Sequence, residues 1–321
     1  MRLATFAVDT PFGERTRVGV VDGDTYLDVT TGYAALVDAD GDASPYEVAT
    51  TIAPSDMLTF LARGERAMAA ARHVADAFAG DDTGEWNGRR LRFDAADVRL
   101  LSPLPRPNSL RDAMVYEEHV RNSFDEGDIP DVWYERPIYY KGNPDAIVHP
   151  DEDVVWPDYS DEMDYELELA AVIGKRGRDI PIEDAGKYIA GYTVFNDFSA
   201  RDTQFSEMEA NLGPAKGKDF ANGLGPYLTT ADAIDIRDVE MTARVNDEVW
   251  SAGTPGTMHH TFEEIVAYVS NSETLRPGDV IGSGTVGRGC GLELGRSLSD
   301  GDVIELEVDG IGTLRNRIRA D

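Results

Sequence analysis

Residues 164–174 read DYELELAAVIG and combine acidic and apolar side chains in one short segment. Alternation along a β-strand places Asp164, Glu166 and Glu168 on one face. The AAVI that follows is apolar on both faces, which is typical of a strand that enters the protein interior. Neighbouring carboxylates at such a strand repel each other and resist the loss of water. A divalent cation would relieve both costs, and a solvated acidic strand face is the alternative interpretation.

The composition is that of a globular protein with one large domain or two. The chain has 321 residues, of which 41% are hydrophobic, enough for a sizeable core. It has no run of about 18 apolar residues, so we expect no transmembrane helix, and the N-terminal residues have no apolar signal core. The single cysteine, Cys290, excludes an internal disulfide and a cysteine-rich zinc site. We therefore expect a cytoplasmic location.

The net charge of −30, from 60 acidic and 30 basic residues, is extreme. The acidic residues are spread along the chain, so a disordered acidic tail is not expected. Such a surface argues against nucleic acid or an anionic membrane as a partner. We interpret it as a halophilic adaptation, because molar salt shortens the Debye length to about 3 Å and screens self-repulsion. A cationic partner is the alternative.

The order of segments predicts an α+β fold that is mostly β, with a small N-terminal α/β domain over residues 1–100. In that domain, strands near residues 2–8, 17–23, 25–30 and 90–93 accompany a helical segment over 56–80. The proline-rich stretch LLSPLPRPNSLRD is expected to be a linker. The second domain, residues 101–321, has predicted helices at 112–124, 182–188 and 261–270. Its predicted strands are residues 137–142, 166–174, 189–197, 241–247, 248–253, 279–285 and 302–316.

Polar side chains that are candidates for chemistry occur in four further segments. In an acidic protein, any single one of them is most often a surface residue. They stand beside apolar or glycine-rich neighbours, which favours a functional role. The segments are RDAMVYEEHVRN with Asp112 and His119, YTVFNDFSARDTQ with Asp197, Arg201 and Gln204, NLGPAKGKDF with Lys218, and GSGTVGRGCGLELG with Thr285 and Glu293.

Five separated motifs resemble, in the same order, those of the fumarylacetoacetate hydrolase superfamily: DYELELAAVIGKRGRDI, GYTVFNDFSARDTQ, LGPAKGKDF, LRPGDVIGSGT and DGIGTLRN. The resemblance covers about residues 101–321 and is nearest to the fumarylacetoacetase-like and 2-keto-4-pentenoate hydratase-type members. It implies a mixed β-sandwich roll that usually forms a homodimer and binds Mg²⁺ or Ca²⁺, with Mn²⁺ as a further option. Members of this superfamily cleave C–C bonds in diketo acids, decarboxylate oxaloacetate-like acids, isomerise or hydrate dienoates, and dehydrate 2-keto-3-deoxy sugar acids.

The resemblance also implies roles for individual residues. It assigns the metal to Glu166, Glu168 and Asp197, with Asp112 as a fourth carboxylate, and all-oxygen ligation suits a hard cation. It makes His119 the base that activates water and Glu293 the acid that orients it; histidine titrates near neutral pH, as this role requires. The remaining implied roles are enolate stabilisation by Lys218, Arg201 and Gln204, and substrate contact by Tyr140 and Thr285.

Several of these assignments have alternatives. Lys218 could be a salt-bridged surface lysine, with Lys216 in its place, although the motif favours Lys218. Arg201 could be structural and pair with Asp202 or with a metal carboxylate. We expect His73 to be an ordinary helix residue. We expect the pair His259 and His260 to have a structural role at a helix start, with an additional metal site as the alternative.

Three departures from the family pattern concern substrate choice. One is that RNSFDEGD has no clear counterpart of the arginine that the eukaryotic hydrolases carry beyond the histidine. Met114 stands where the eukaryotic hydrolases carry a tyrosine, and the segment FSEMEANLG lacks a second one. The acylpyruvase-like branch uses a glutamate shortly after its histidine, where this chain has Asn122. That difference favours the pairing of His119 with Glu293.

The leading hypothesis is a metal-dependent hydrolase of a C–C bond in a fumarylacetoacetate-like diketo acid, as in the catabolism of aromatic compounds. The first alternative is a lyase on the same metal site, either a 2-keto-3-deoxy sugar acid dehydratase or a hydratase or decarboxylase of a 2-oxo acid. The second is a non-catalytic acidic protein that binds Ca²⁺. The expected partners are a small diketo or 2-oxo acid substrate and a second copy of the chain.

Overall fold

The computed structural model describes residues 1–123 and 129–320. Its strands are β1 (Arg2–Val8), β2 (Arg15–Asp22), β3 (Thr25–Asp28), β4 (Glu85–Trp86), β5 (Arg89–Arg90), β6 (Arg92–Asp94), β7 (Arg99–Leu101), β8 (Ser109–Ala113), β9 (Tyr139–Gly142), β10 (Ile147–Val148), β11 (Asp153–Trp156), β12 (Met163–Asp164), β13 (Leu167–Ile173), β14 (Gly177–Arg178), β15 (Ile189–Asp197), β16 (Ser199–Ala200), β17 (Asn222–Thr230), β18 (Met241–Val245), β19 (Glu248–Gly253), β20 (Thr274–Leu275), β21 (Asp279–Gly282), β22 (Val303–Val308) and β23 (Gly312–Ala320).

The α-helices are α1 (Val29–Ala39), α2 (Pro45–Ile52), α3 (Met57–Ala62), α4 (Glu65–Phe78), α5 (Glu117–Ser123), α6 (Asp131–Glu135), α7 (Ile182–Ala185), α8 (Arg201–Met208), α9 (Phe262–Ser270) and α10 (Gly291–Leu294). More of the described residues lie in strands than in helices, which confirms the expected α+β class with an excess of strand. Among the same residues, none of these helices has the length and apolar character needed to cross a membrane.

Two large sheets organise the described part of the chain. The first has the order β6-β3-β2-β1-β17-β15-β13-β21-β8-β9, with β10 added to β17 and β7 added to β1. The second has the order β11-β23-β22-β18-β19. Most pairs in the first sheet are antiparallel, whereas the pairs of β21 with β8 and of β10 with β17 are parallel. Strand β13 therefore lies well inside the larger sheet, where both of its faces are covered.

The segment AAVI is apolar on both faces because two different cores cover β13. Leu169 and Ala171 pack with residues of the second sheet, including Leu306. Ala170 and Val172 point the other way, into a core formed with the N-terminal helices. Each fully buried leucine or valine side chain contributes roughly 1.5–3 kcal/mol to stability, and each buried alanine contributes less. The two cores fix the strand firmly and so fix the residues at its N-terminal end.

The N-terminal strands belong to the same large sheet as β13. Strand β1 pairs with β17, where Arg2 lies opposite Thr229, and β7 pairs with β1. Helices α3 and α4 cover one face of this sheet. Strands from both sides of the proposed domain boundary at residue 100 therefore lie in one sheet. The division into two domains at that residue stays a prediction.

The predicted helix over 112–124 is wrong at its start. Residues Ser109–Ala113 form a strand, and the helix begins at Glu117. Main-chain pairing with β21, in which Asp112 lies opposite Gly282, replaces the helical turn that the local sequence favours. Residue 124 lies outside the described residues. The helices predicted at 182–188 and 261–270 are confirmed, the first as α7 followed by a 3₁₀ turn.

The segment 56–80 forms two helices instead of one, and two further helices escaped the prediction. Gly64 separates α3 from α4 with a φ of 60°, a conformation that glycine adopts at low cost. Helix α1 begins where a strand was expected to continue, because the Asp28 carboxylate caps the main-chain N–H of Thr31 at 2.8 Å. Such a cap contributes about 1 kcal/mol. Helix α2 follows with Pro45 in its first turn.

Candidate active site

One cavity of about 240 Å³ collects most of the predicted site residues. It lies where β8, β9 and the segment before β13 meet the first turns of α5 and α8. Two further predicted residues, Asp197 and Glu293, lie behind its wall and contact residues that line it. The predicted residues in the lining are Asp112, His119, Tyr140, Glu166, Glu168, Arg201, Gln204, Lys218 and Thr285.

Three carboxyl groups form a compact cluster at the base of this cavity. Oxygen atoms of Asp112, Glu168 and Asp197 lie within 4.8 Å of one another, and all three side chains are buried. The main-chain N–H of Gly284 donates to Asp112 Oδ1 and to Glu168 Oε2, at 3.1 Å in each case. Gly284 has a φ of 81°, and a Cβ there would lie 2.3 Å from the Ala113 oxygen. Only glycine brings the N–H this close.

Asp197 has one satisfied oxygen and one that is not. Its Oδ2 accepts a hydrogen bond from the Tyr140 hydroxyl at 2.6 Å and lies 2.7 Å from Lys218 Nζ. Its Oδ1 is buried without a hydrogen-bond partner. Burial raises the pKa of Asp197 to about 6, although Lys218 acts in the opposite direction. A buried oxygen without a donor is a suitable ligand for a cation.

The pKa values of the other two carboxyl groups in the cluster are raised as well. Burial, and then repulsion from Asp197, raises the pKa of Asp112 well above its ordinary value. Burial, and then repulsion from Asp112, does the same to the pKa of Glu168. A bound divalent cation reverses this effect, because it favours the charged carboxylates. The all-oxygen donor set therefore fits Mg²⁺, Ca²⁺ or Mn²⁺.

The remaining predicted ligand, Glu166, faces two cationic side chains. Its Oε2 lies 2.6 Å from Lys218 Nζ, and its Oε1 lies 2.8 Å from Arg201 Nη2. Burial acts to raise the pKa of Glu166, but Lys218 and Arg201 outweigh it and hold that pKa below its ordinary value. The role of Glu166 as a metal ligand stays a prediction.

The predicted pair of His119 and Glu293 is in hydrogen-bonding contact. His119 Nδ1 lies 2.7 Å from Glu293 Oε1, and the Glu293 side chain is fully enclosed. Its second oxygen accepts hydrogen bonds from Asn122 Nδ2 and from the Arg288 N–H, each at 2.8 Å. Burial acts to raise the pKa of Glu293, but the hydrogen bond with His119 and the other donors outweigh it and lower that pKa. With Nδ1 engaged, Nε2 is the ring nitrogen of His119 that remains for chemistry in the cavity.

Asp164 is a site residue for which the sequence analysis predicted no role beyond its place on the acidic face. Its buried carboxylate accepts hydrogen bonds from the N–H groups of Gly291 and Leu292 at 2.7 and 3.0 Å. It also accepts two from the guanidinium of Arg201, at 2.9 and 2.6 Å. Asp164 thereby joins the first turn of α10, which carries Glu293, to the first residue of α8.

The expected alternatives for Arg201 and Lys218 are resolved in part by these contacts. Arg201 pairs with Asp164 and Glu166, whereas Asp202 accepts hydrogen bonds from Ser160 and Asp161 instead. Of the two pairings offered as alternatives for Arg201, the one with Asp202 is wrong, because Asp202 points to the loop before β12. The other, with a predicted metal carboxylate, agrees with the contact to Glu166. Lys218 is buried in the cavity wall.

Cys290 is a second residue near the site whose position the sequence did not indicate. It is fully buried, and its Sγ lies 3.5 Å from Glu293 Oε1. Donor atoms of His119, Cys290 and Glu293 all lie within 4.8 Å of one another. Burial, and then the nearby Asp164 carboxylate, raises the pKa of the Cys290 thiol. The sequence shows that Cys290 directly precedes the GLELG motif that carries Glu293. No local pattern indicates that this cysteine is a ligand.

His259 and His260 contribute to structure near the site. His259 stacks on Trp133 with ring centres 5.0 Å apart, and His260 Nε2 lies 3.0 Å from the Trp133 main-chain oxygen. Trp133 belongs to α6, so His259 and His260 hold this helix in place. These contacts agree with the expected structural role of the two histidines. His73 is exposed on α4.

Comparison with known proteins places this arrangement in a family. The sequence-family model for the C-terminal region of fumarylacetoacetate (FAA) hydrolase matches residues 109–319 of this chain. Oxaloacetate tautomerase YisK of Bacillus subtilis is 32% identical over 274 residues, which cover 83% of this chain and 87% of that protein. Human mitochondrial oxaloacetate tautomerase FAHD2A is 33% identical over 268 residues, which cover 83% of this chain and 80% of that protein.

A solved structure extends the similarity to the whole chain. Maleylpyruvate hydrolase from Sphingobium sp. SYK-6, in complex with manganese(II) and pyruvate, has a TM-score of 0.69 and 26% sequence identity, and the match covers 100% of this chain and 99% of that one. A hydrolase of known structure thus shares this fold, and two oxaloacetate tautomerases share a related sequence. The extent of the family match and the identity to its members show that the chain belongs to the fumarylacetoacetate hydrolase family.

Proposed function

We propose that this protein is a divalent-metal-dependent enzyme that interconverts the enol and keto forms of a small 2-oxo diacid such as oxaloacetate. The observation that carries the proposal is the hydrogen-bonded pair of His119 and Glu293 beside a cavity that also holds a carboxylate cluster and a buried lysine. The names of the relatives from Bacillus subtilis and human support the choice of reaction. A cavity of about 240 Å³ is smaller than most drug-sized sites and suits a small acid.

Proton transfer is the step that the chain's own residues perform. His119 Nε2 takes the proton from the carbon next to the substrate carbonyl, and Glu293 stabilises the imidazolium that forms. The imidazolium returns the proton to the enolate oxygen, and the same transfers in reverse convert the enol to the keto form. General acid–base catalysis of this kind contributes about 10²–10⁴ in rate. Asp112, Glu168 and Asp197 would hold the cation, which when bound supplies Lewis acidity to the carbonyl oxygen.

Lys218 and Arg201 provide fixed positive charge for an anionic substrate. Burial acts to lower the pKa of Lys218, but Asp197 and Glu166 outweigh it and raise that pKa, so the side chain stays an ammonium ion. Arg201 Nη1 donates to Gln204 Oε1 at 3.0 Å, which directs the guanidinium to the cavity wall. Charges that are already in position stabilise an enolate without reorganisation during the reaction.

The second candidate function is hydrolysis of a C–C bond in a diketo acid. In that reaction His119 takes a proton from water, the hydroxide adds to a carbonyl, and the C–C bond breaks to leave an enolate that is then protonated. Partly exposed apolar side chains at the cavity, including Ile138, Phe205 and Met208, favour a substrate with an apolar tail. The similarity to maleylpyruvate hydrolase also supports this candidate. The homodimer and the halophilic adaptation stay predictions.

A substrate comparison with Mg²⁺ or Mn²⁺ separates these functions. We expect the enzyme to accelerate loss of the ultraviolet absorbance of enol-oxaloacetate, with keto-oxaloacetate as the product. Glu168→Gln and His119→Asn should lose the acceleration, and the exposed control His73→Asn should keep it. Release of carbon dioxide would indicate a decarboxylase instead. Cleavage of acylpyruvates without tautomerisation would contradict the proposal and favour the hydrolase.

A further inference from the structure

We propose that His119, Cys290 and Glu293 form a second metal site, which binds a thiophilic ion such as Zn²⁺ or Cd²⁺ and takes the catalytic base out of use. This site is distinct from the three-carboxylate cluster of Asp112, Glu168 and Asp197. The inhibitory consequence rests on the proposed function, because it requires His119 to be the base. Binding of the ion does not depend on that function.

The distances within the cluster suit a tetrahedral ion. His119 Nδ1 lies 2.7 Å from Glu293 Oε1, Cys290 Sγ lies 3.5 Å from the same oxygen, and all three donors fall within 4.8 Å. With Zn–S near 2.3 Å and Zn–N or Zn–O near 2.0 Å, tetrahedral donors stand about 3.3–3.6 Å apart. The nitrogen and the carboxylate oxygen therefore need to separate by less than about 1 Å.

The groups around Glu293 direct one of its oxygens at the two other donors of the proposed site, His119 and Cys290. Its Oε2 is held by Asn122 Nδ2 and by the Arg288 N–H. Its Oε1 faces His119 and Cys290. Outer hydrogen bonds of this kind orient a ligating carboxylate and strengthen its binding.

Ligand chemistry separates the two sites by the type of ion. A thiolate and an imidazole select zinc or cadmium, whereas a set of carboxylates selects magnesium or calcium. The Cys290 thiol loses its proton when the ion binds, as metal binding to cysteine requires. An excess of Mg²⁺ should therefore occupy the carboxylate cluster and leave the second site open to a soft ion.

The cavity provides the route to this site. Cys290 and the Glu293 side chain are enclosed, and the His119 side chain is only 8% exposed. His119, Ser123 and Leu292 nevertheless line the cavity, so an ion that enters it reaches the imidazole first. A site with three protein ligands keeps its fourth position for water.

Occupation of this site would stop the proposed proton transfer. An ion on Nδ1 replaces the interaction with Glu293 that stabilises the imidazolium, and its positive charge lowers the basicity of Nε2. With Nδ1 bound to the ion and Glu293 engaged as a ligand, His119 would lose the hydrogen-bonded pair that the proposed transfer uses. Zinc should therefore inhibit even when the hard-cation site is saturated.

Titration with Cd²⁺ under saturating Mg²⁺ tests the site directly. Cys290 is the only cysteine in the chain, so an ultraviolet thiolate-to-cadmium band reports this residue alone. We expect the band to saturate at one equivalent. His119→Asn and Glu293→Gln should each weaken the affinity by at least about tenfold. Glu168→Gln and the surface control His73→Asn should leave the band unchanged.

Two results would overturn the proposal. One is the absence of a band in the wild type, and the other is an unchanged affinity in His119→Asn, which would show a lone thiol instead of a site. In an activity assay, Zn²⁺ should inhibit the wild type but spare Cys290→Ser relative to its own zinc-free rate. Equal inhibition of both would place the ion elsewhere and contradict the account. The spectroscopic result stands even if no tautomerase activity is found.

Discussion

The two clusters beside the cavity contain buried glutamates with opposite electrostatics. Glu168 lies among carboxyl groups, and burial followed by the repulsion of Asp112 raises its pKa well above the ordinary value. Glu293 is held by His119, Asn122 and a main-chain N–H, and its pKa is lowered even though burial opposes this. Burial alone therefore does not decide the charge of a carboxyl group. The neighbours decide it.

This difference assigns different chemistry to the two clusters. The carboxylate cluster is repulsive and includes an oxygen of Asp197 without a donor, so it gains from a hard cation. The pair of His119 and Glu293 is complete without one, because the imidazole and two further donors satisfy the carboxylate. One cavity thus combines a site that needs a cation with a base that does not.

Removal of the base should have the largest effect on turnover. We expect His119→Asn to lower kcat by about 10²–10⁴ and to leave the affinity for Mg²⁺ unchanged, because His119 lies outside the carboxylate cluster. Steady-state kinetics and calorimetry on the same preparation measure the two quantities. A parallel loss of Mg²⁺ affinity would break the distinction between the clusters.

Removal of the Asp164 charge, which joins α10 to Arg201 of α8, should have an intermediate effect. Asp164→Asn loses the charge that holds Arg201 and weakens the anchor of α10, so we expect kcat to fall about tenfold and the pH profile of kcat to shift. Loss of one buried charged hydrogen bond has a cost of that order. The matched control is Asp28→Asn, which removes another buried aspartate that caps a helix and pairs with an arginine, Arg17. If both variants lost activity equally with unchanged pH profiles, the role of Asp164 would be structural only.

The smallest effects should appear in the stability of the metal-free protein, with opposite signs for the two clusters. A raised pKa means that Asp197 contributes stability at low pH that is lost as the pH rises through about 6. A lowered pKa means that Glu293 contributes stability above its ordinary pKa, which is lost as the pH falls through its lower folded value.

Melting temperatures at pH 7.5 without metal test these signs. Asp197→Asn removes a disfavoured charge and should raise the melting temperature, and added Mg²⁺ should stabilise the wild type more than this variant. Glu293→Gln removes a favoured charge and should lower the melting temperature. Shifts of the same sign in the two variants would show that the clusters are electrostatically alike.

The sequence predicted most of the site because the relevant residues lie in local motifs at element ends. Alternation around Glu166 and Glu168 marked the acidic strand, and the resemblance to a family added residues such as His119 and Lys218 that lie far apart in the chain. The strand at Ser109–Ala113 was not predictable, because pairing with the distant β21 decides its conformation. The contacts of Asp164 and Cys290 were missed for the same reason, since their partners are set by tertiary packing.

Calorimetry with Mg²⁺ on Glu168→Gln and Glu293→Gln tests most directly which of the two clusters binds the cation. Both variants neutralise a buried glutamate beside the same cavity, so they differ mainly in the cluster affected. We predict that the wild type binds one Mg²⁺, that Glu168→Gln loses at least about tenfold in affinity, and that Glu293→Gln binds like the wild type. Wild-type affinity in Glu168→Gln, or a loss of affinity confined to Glu293→Gln, would contradict the assignment of the cation to the three carboxylates.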